Sequence, residues 1–209
     1  MTDAGQGYIA NPVQACADIP AAPPAGEGPS KAAPAESGAE RAARVRASKP
    51  ARGTRTGFST GACSATAARA CAIGLVTGQV PDTVESLLAN GRRYTFTIHD
   101  GRVEGEGLNR TAHGYVQKFA GDDPDCTDGA HLTVDLRILP GQAGEVRYRA
   151  GPGVGTVTLP GLGLEVGGPA INPVPRRNIA ENLHEVAGSL LAEHGLEVTI
   201  SVPDGEVMA

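Results

Sequence analysis

Three arginines stand where the chain turns into a helix: Arg55, just ahead of a Ser59-Thr60-Gly61 capping signal, and Arg176-Arg177, at the opening of an apolar-periodic segment. A helix start leaves its first amides without intrahelical acceptors and carries the positive end of the dipole. An arginine beside it adds a planar fork of donors that matches a carboxylate or a phosphate. Taken singly, each arginine is an exposed surface charge; the two helix starts together point to a ligand rich in anionic groups. Ahead of the second start runs Gly151 to Arg177, GPGVGTVTLPGLGLEVGGPAINPVPRR, in which Gly or Pro fills nearly every second position and Glu165 is the only acidic residue. Glycine admits positive φ and close approach to the backbone, whereas proline fixes φ and removes a donor. With Val, Leu and Ile interleaved, the stretch reads as an ordered, partly buried wall presenting backbone amides, and long loops of this kind are usually functional.

Other chemistries find less support. Gly151, Gly153 and Gly155 give G-x-G-x-G, not the dinucleotide G-x-G-x-x-G, and no GxxxxGK[ST] occurs, so no nucleotide motif is present. The acidic turn Gly121-Asp122-Asp123-Pro124-Asp125 fails as an EF-hand, because the frame starting at Asp123 puts Asp128 at the sixth position and Val134 at the twelfth, where Gly and Glu are required. It reads equally as a solvated turn and as a ligand-positioning one. His99, His113, His131, His184 and His194 are scattered and no G-x-S-x-G turn exists, so nucleophilic catalysis lacks its parts. A reaction that depends on positioning two bound molecules suits these residues better.

The elements that must position them follow from caps and periodicity. A helix built from small residues is expected from Ser59 to Gly78, then a short strand from Thr83 to Leu88, a hairpin at Asn90-Gly91, and a strand with Tyr94, Phe96 and Ile98 on one face. Asp100-Gly101 is a second hairpin signal, followed by a stretch too polar for a clear strand. Further strands are expected over Gly114 to Lys118, His131 to Ile138 and Glu145 to Arg149. After the wall, Ile179, Leu183, Val186, Ala187, Leu190 and Leu191 recur at helical spacing, with Pro175 in the first turn and Gly195 as a left-handed stop. A last strand, LEVTISV, ends at Pro203-Asp204-Gly205. This order predicts an α+β two-layer sandwich, a mostly antiparallel or mixed sheet with helices packed on it. A further segment is expected to begin after the final turn.

Composition sets the outer limits. Residues 1–53 are Ala, Pro, Gly, Ser and Glu with scattered Arg and no apolar period, a composition that predicts a disordered tail, with one folded domain over 54–209. Lys31 to Arg52 leans basic, yet nothing aromatic is interleaved and the net charge is −5, so nucleic acid is not an expected partner. No apolar run has the length of a membrane span and no secretory signal opens the chain, which predicts a cytoplasmic protein without a membrane partner. Cys16, Cys63, Cys71 and Cys126 have no CxxC spacing, so neither structural zinc nor a disulfide framework is expected. Cys63 and Cys71 read as small buried helix residues.

RTGFSTGACSATAA (Arg55 to Ala68), AGDDPDCTDGA (Ala120 to Ala130), the Gly151 to Arg177 wall and LEVTISVPDG (Leu196 to Gly205) together resemble the CbiD family, cobalt-precorrin-5B C1-methyltransferases of anaerobic cobalamin biosynthesis. The resemblance covers Arg55 to Ala209 and corresponds to an N-terminal portion of the family. It implies transfer of a methyl group from S-adenosylmethionine to ring carbon 1 of a corrinoid whose side chains are carboxylates. Substrate-binding residues implied by the matching strings are Arg55, Thr60, Asp122, Asp123, Asp125, Gly153, Gly155, Asn172, Arg176 and Arg177; no catalytic residue and no metal ligand is implied. A separate C-terminal half or a homo-oligomer is the implied protein partner, and a non-catalytic corrinoid-binding or assembly module is the alternative function. The chain departs from the family pattern at Phe119, Asp128, Thr156 and Leu159, where the pattern implies Asp, His and two basic residues.

Overall fold

The computed structural model describes residues 55–208 except 123, 161 and 162. The tail expected over 1–53, Cys16 and Asp123 lie outside the described residues.

Helix α1 (Thr60–Thr77) forms where its caps predict. Ser59 Oγ accepts the Ala62 N–H at 3.2 Å, and Gly78, at φ 88°, donates its N–H to the Gly74 carbonyl. A surface helix buries one stripe, but in α1 Cys63, Ala65, Ala67, Ala68, Ala70 and Cys71 are all fully buried. It packs on strands β4 (Thr111–Gln117) and β5 (His131–Leu139) and also on the second long helix, α2 (Pro173–Glu193). Small side chains allow that approach: the Cys71 thiol lies against β5, donating to the Val134 carbonyl at 3.5 Å.

The main sheet has five strands in the order β3-β4-β5-β7-β6, with β3 at His99–Glu104, β6 at Val146–Ala150 and β7 at Gly195–Ser201. Every pair is antiparallel except β6 with β7. Neighbouring parallel strands cannot be joined by a tight turn and need a crossover. Here the crossover is the Gly/Pro wall followed by α2. Leu132, Val134, Leu136 and Ile138 alternate onto the helix-covered face and are buried, so the fold is the expected α+β arrangement with a mixed sheet. A separate hairpin pairs β1 (Thr83–Leu87) with β2 (Arg93–Thr97), its turn carrying Gly91 at φ 79°. A short helix, α3 (Gly205–Met208), follows β7.

Three local expectations are corrected. Asp100-Gly101 is a β-bulge inside β3, not a hairpin: His99 pairs with Tyr115 and Arg102 with His113, so two residues face one, with Asp100 at φ 52°. Of the polar stretch after it, only Arg102–Glu104 is strand, the end of an antiparallel edge strand, and Gly107–Asn109 is a 3-10 turn. Gly195 is not a left-handed stop. The helix ends on His194 in an extended conformation, and Gly195 opens β7 where a Cβ would lie 2.7 Å from the Gln142 carbonyl oxygen.

The hairpin is tied to α2 by a buried amide network absent from the sequence reading. Asn182 is fully buried. Its Nδ2 donates to the Leu87 and Asn178 carbonyls at 2.8 and 2.9 Å, and its Oδ1 accepts from Ser86 Oγ at 3.1 Å and from the Leu87 N–H at 3.2 Å. Asn178 adds a second donor to the Leu87 carbonyl at 2.9 Å. Ser86 Oγ and the Leu87 N–H and C=O of β1 are thereby satisfied, as burial requires.

Candidate functional site

The N-terminal ends of α1 and α2 lie against each other. A Cβ on Gly61, in the first turn of α1, would stand 2.9 Å from Pro175 Cγ. Two clefts open around this contact and share Thr60, Gly61 and Pro175 as their partition. The first, about 380 Å³, runs from Gly57 and Ser59 to the hairpin tip at Leu88–Asn90 and to Asn178. The second, about 260 Å³, lies between Thr60, Gly61 and Ser64 of α1 and the wall, with Leu132, Ile200 and Val202 as its apolar floor. Gly153, Val154, Gly155, Ala170, Ile171 and Asn172 form its outer side. Among the described residues, the linings hold no acidic, basic, histidine or cysteine side chain. They offer hydroxyls, side-chain amides and backbone N–H groups, which hold and orient a ligand but exchange no proton at neutral pH.

The two helix ends are not equivalent, contrary to the expectation that both offer free amides. Thr60 and Gly61 at the start of α1 have no acceptor within the helix, and no acidic residue occupies its first turn. In α2 the N-cap is Asn172, making no side-chain capping bond, and prolines 173 and 175 remove two of the first three donors. The Arg176 N–H is already bonded to the Asn172 carbonyl at 3.2 Å.

The wall is a narrow ribbon. Thr156 bridges Pro169, the Val157 N–H donates to Gly168 and the Gly167 N–H to Val157 at 2.9 and 2.8 Å, and the Ala170 N–H donates to Gly155 at 2.8 Å. Its two cleft-lining glycines differ in kind. Gly153 has φ 73° and a Cβ there would lie 1.8 Å from the Val202 carbonyl oxygen, whereas a Cβ on Gly155 would meet only Ala170 Cβ at 3.7 Å. Arg176 turns back onto the ribbon: Nε donates to the Ile171 carbonyl at 2.9 Å and a terminal nitrogen to the Pro169 carbonyl at 3.0 Å. Arg177 is exposed on α2 and lines neither cleft.

The acidic turn anchors the approach to α1. Gly57 packs on the Ala120 backbone, where a Cβ would be 2.0 Å from the carbonyl carbon. The Phe58 N–H donates to Phe119 and the Asp122 N–H to Arg55, at 2.8 and 3.2 Å. Arg55 Nε pairs with Asp122 Oδ1 at 2.7 Å while its side chain stays 68% exposed. Lys118, with its side chain buried, gives its ammonium to Asp125 and Thr127, and its bond to Asp125, with those from the Thr127 hydroxyl and amide, holds the Asp125 carboxyl below the usual carboxylate range. Asp128 caps the Ala120 N–H at 2.8 Å. Burial pushes the Cys63 thiol up to about 11, against the pull of Lys118, and raises Cys71 further, so neither is a nucleophile at neutral pH.

Residues 47–209 match the profile of the CbiD family. The chain belongs to the CbiD family. Among its CbiD relatives, a protein of Polaromonas sp. is 66% identical over 161 residues, covering 75% of this chain and 43% of the relative. One from Variovorax paradoxus is 67% identical over 158 residues, covering 76% and 42%, and one from Dechloromonas aromatica is 61% identical over 159 residues, covering 76% and 40%. Each of the three is named a cobalt-precorrin-5B C(1)-methyltransferase. The chain thus spans about two fifths of the length of the relatives it matches. A crystal structure of the cobalamin biosynthesis protein CbiD from Archaeoglobus fulgidus is 26% identical, with a TM-score of 0.47, over 74% of this chain and 45% of that one.

The fold brings all four CbiD-like strings to one place. The first supplies the N-terminal half of α1, and the second pairs with the residues just before it. The third is the wall, and the fourth runs from the cleft floor to a turn where Gly205 packs on Gly153. Of the residues named from sequence, Thr60, Gly153, Gly155 and Asn172 line the second cleft. Arg55, Asp122, Asp125 and Arg176 line neither cleft and are held by internal partners. The hairpin tip and Asn178 were missed. Asn178 and Asn182, spaced i, i+4 among apolar positions of α2, were the one available signal.

Proposed function

We propose that this chain takes part in C-1 methylation of cobalt-precorrin-5B in cobalamin biosynthesis, in the cytoplasm, with S-adenosylmethionine as the methyl donor. The observation that carries the reading is the convergence of four CbiD-like strings on two adjoining clefts, together with relatives above 60% identity named for that reaction. The second cleft would take a carboxylated edge of the macrocycle against the Thr60 and Gly61 amides, with the exposed Arg55 guanidinium and Arg177 as further cations. The first cleft has a volume in the range of small-molecule sites. Ser59, Thr60, Asn90 and Asn178 would hold the methyl donor there, and it would supply an activated methyl group. The chain's own part is alignment and exclusion of water, which a sulfonium displacement needs more than an acid or a base.

A second reading, a corrinoid-binding or assembly module working with a separate C-terminal half or a second copy, is favoured by cleft linings that hold, among the described residues, no acidic, basic, histidine or cysteine side chain. Calorimetric titration separates the two. Binding of both dicyanocobyrinic acid, a stable corrin with free carboxylates, and S-adenosylmethionine supports the enzyme; the corrin alone supports the module. Binding of neither overturns both.

A further inference from the structure

Arg176 has the sequence position of a substrate-binding cation, but its guanidinium is committed elsewhere. Two of its nitrogens donate to the Ile171 and Pro169 carbonyls at 2.9 and 3.0 Å. The guanidinium carbon lies 5.4 Å from the centre of the Tyr148 ring, and Tyr148 Oη donates to the Arg176 carbonyl at 2.6 Å. Arg176 sits in the first turn of α2, Tyr148 is on β6, and Pro169 and Ile171 belong to the returning limb of the wall. Three elements therefore meet at one guanidinium. The returning limb carries Ala170, Ile171 and Asn172 into the second cleft, and its Ala170 N–H holds Gly155 on the opposite limb. Arg176 itself lines neither cleft.

We propose that Arg176, braced by Tyr148, is a positioning residue that sets the width of the second cleft by clamping the wall, instead of pairing with a ligand carboxylate. For its ligand, the inference rests on the reading of that cleft as a corrinoid subsite. A fork of fixed donors reaching two carbonyls while stacking on a ring is a geometry that lysine does not reproduce. The phenol is suited to its part: burial pushes Tyr148 up to about 12, so it remains a donor throughout the working pH range.

The test compares the full chain with Arg176→Lys and Tyr148→Phe, two probes, and amide hydrogen exchange. Dicyanocobyrinic acid presents carboxylates and its methyl ester presents none. A clamp predicts that both variants weaken both probes by similar factors, about fivefold to tenfold for Arg176→Lys and about threefold for Tyr148→Phe, from the bonds removed. It also predicts faster exchange at Val157, Gly167 and Ala170 in both variants. Loss confined to the acid, restoration by lysine, or unchanged exchange along the wall overturns it. If the unaltered chain binds neither corrin, the corrinoid reading fails, and the exchange rates still decide whether the clamp exists. Tyr148→Phe removes one oxygen from a half-buried ring and keeps the test intact if Arg176→Lys does not fold.

Discussion

Gly153 and Gly155 lie two residues apart in the same wall and line the same cleft, yet substitution by alanine should separate them cleanly. At Gly153 an added Cβ meets the Val202 carbonyl oxygen at 1.8 Å and the Gly205 amide nitrogen at 3.2 Å, and φ is 73°. The left-handed conformation alone costs a non-glycine residue roughly 1–2 kcal/mol. Relief of a backbone clash that tight requires moving the β7 terminus, bringing the total to about 3 kcal/mol or more. For a folded region of this size, about 3 kcal/mol corresponds to a fall in Tm on the order of 6–12 °C. At Gly155 the nearest atom is Ala170 Cβ at 3.7 Å and φ is not positive. Alanine there removes unfolded-state freedom and should leave stability within about 0.5 kcal/mol or raise it slightly. It places its methyl at the cleft rim, so ligand affinity changes while Tm does not. Thermal melts followed by circular dichroism read both. Equal losses for the two variants, or a Gly153→Ala protein melting within about 1 °C of the parent, would mean that Gly153 is not packed against the Val202 carbonyl as described.

Other outcomes follow from the same structure. Gly57→Ala drives a Cβ into the Ala120 backbone at 2.0 Å, and should cost about 3 kcal/mol or more in urea unfolding; a loss under about 1 kcal/mol contradicts the packing. Asn182→Ala strips the Leu87 N–H and the Ser86 hydroxyl of a buried acceptor, for an expected loss of about 2–4 kcal/mol. An unchanged urea midpoint counts against the network. Asp100, Asp125, Glu185 and Glu197 are held below their ordinary values chiefly by bonds from Arg102, Lys118, Arg93 and Arg137. Carboxyls depressed on folding add stability that is complete above about pH 4.5 and lost as pH falls through the folded values. Tm should therefore drop steadily below about pH 4, and a flat profile down to about pH 2.5 would contradict these pairings.

Local signals were legible wherever one residue decides the geometry. Ser59 and Gly78 bounded α1, Asn90-Gly91 made a hairpin, and the alternation of Leu132, Val134, Leu136 and Ile138 marked the covered face of β5. Asp100-Gly101 misled because an Asp-Gly step with positive φ serves a bulge as well as a hairpin, and only the strand opposite decides between them. Gly195 misled for a related reason: its missing side chain answers to the Gln142 carbonyl, more than fifty residues away in sequence. The parallel pairing of β6 with β7 is a tertiary fact that no periodicity carries. Of the cleft-lining residues, Thr60, Gly153, Gly155 and Asn172 were singled out by the glycine pattern, the helix caps and the family strings. Arg176 shows where charge counting stops: only coordinates reveal that carbonyls of its own wall occupy the guanidinium.

We propose that this CbiD-family chain meets a carboxylated corrin at the partition between the two clefts. An amide chemical-shift titration of the full chain with dicyanocobyrinic acid tests it directly. Saturable shifts are expected to concentrate at Thr60, Gly61, Gly153, Gly155 and Asn172, with the open sheet face around Tyr115 and Asp135 unmoved. Saturation without shifts at Thr60 and Gly61, or shifts centred on the open sheet face, would contradict it.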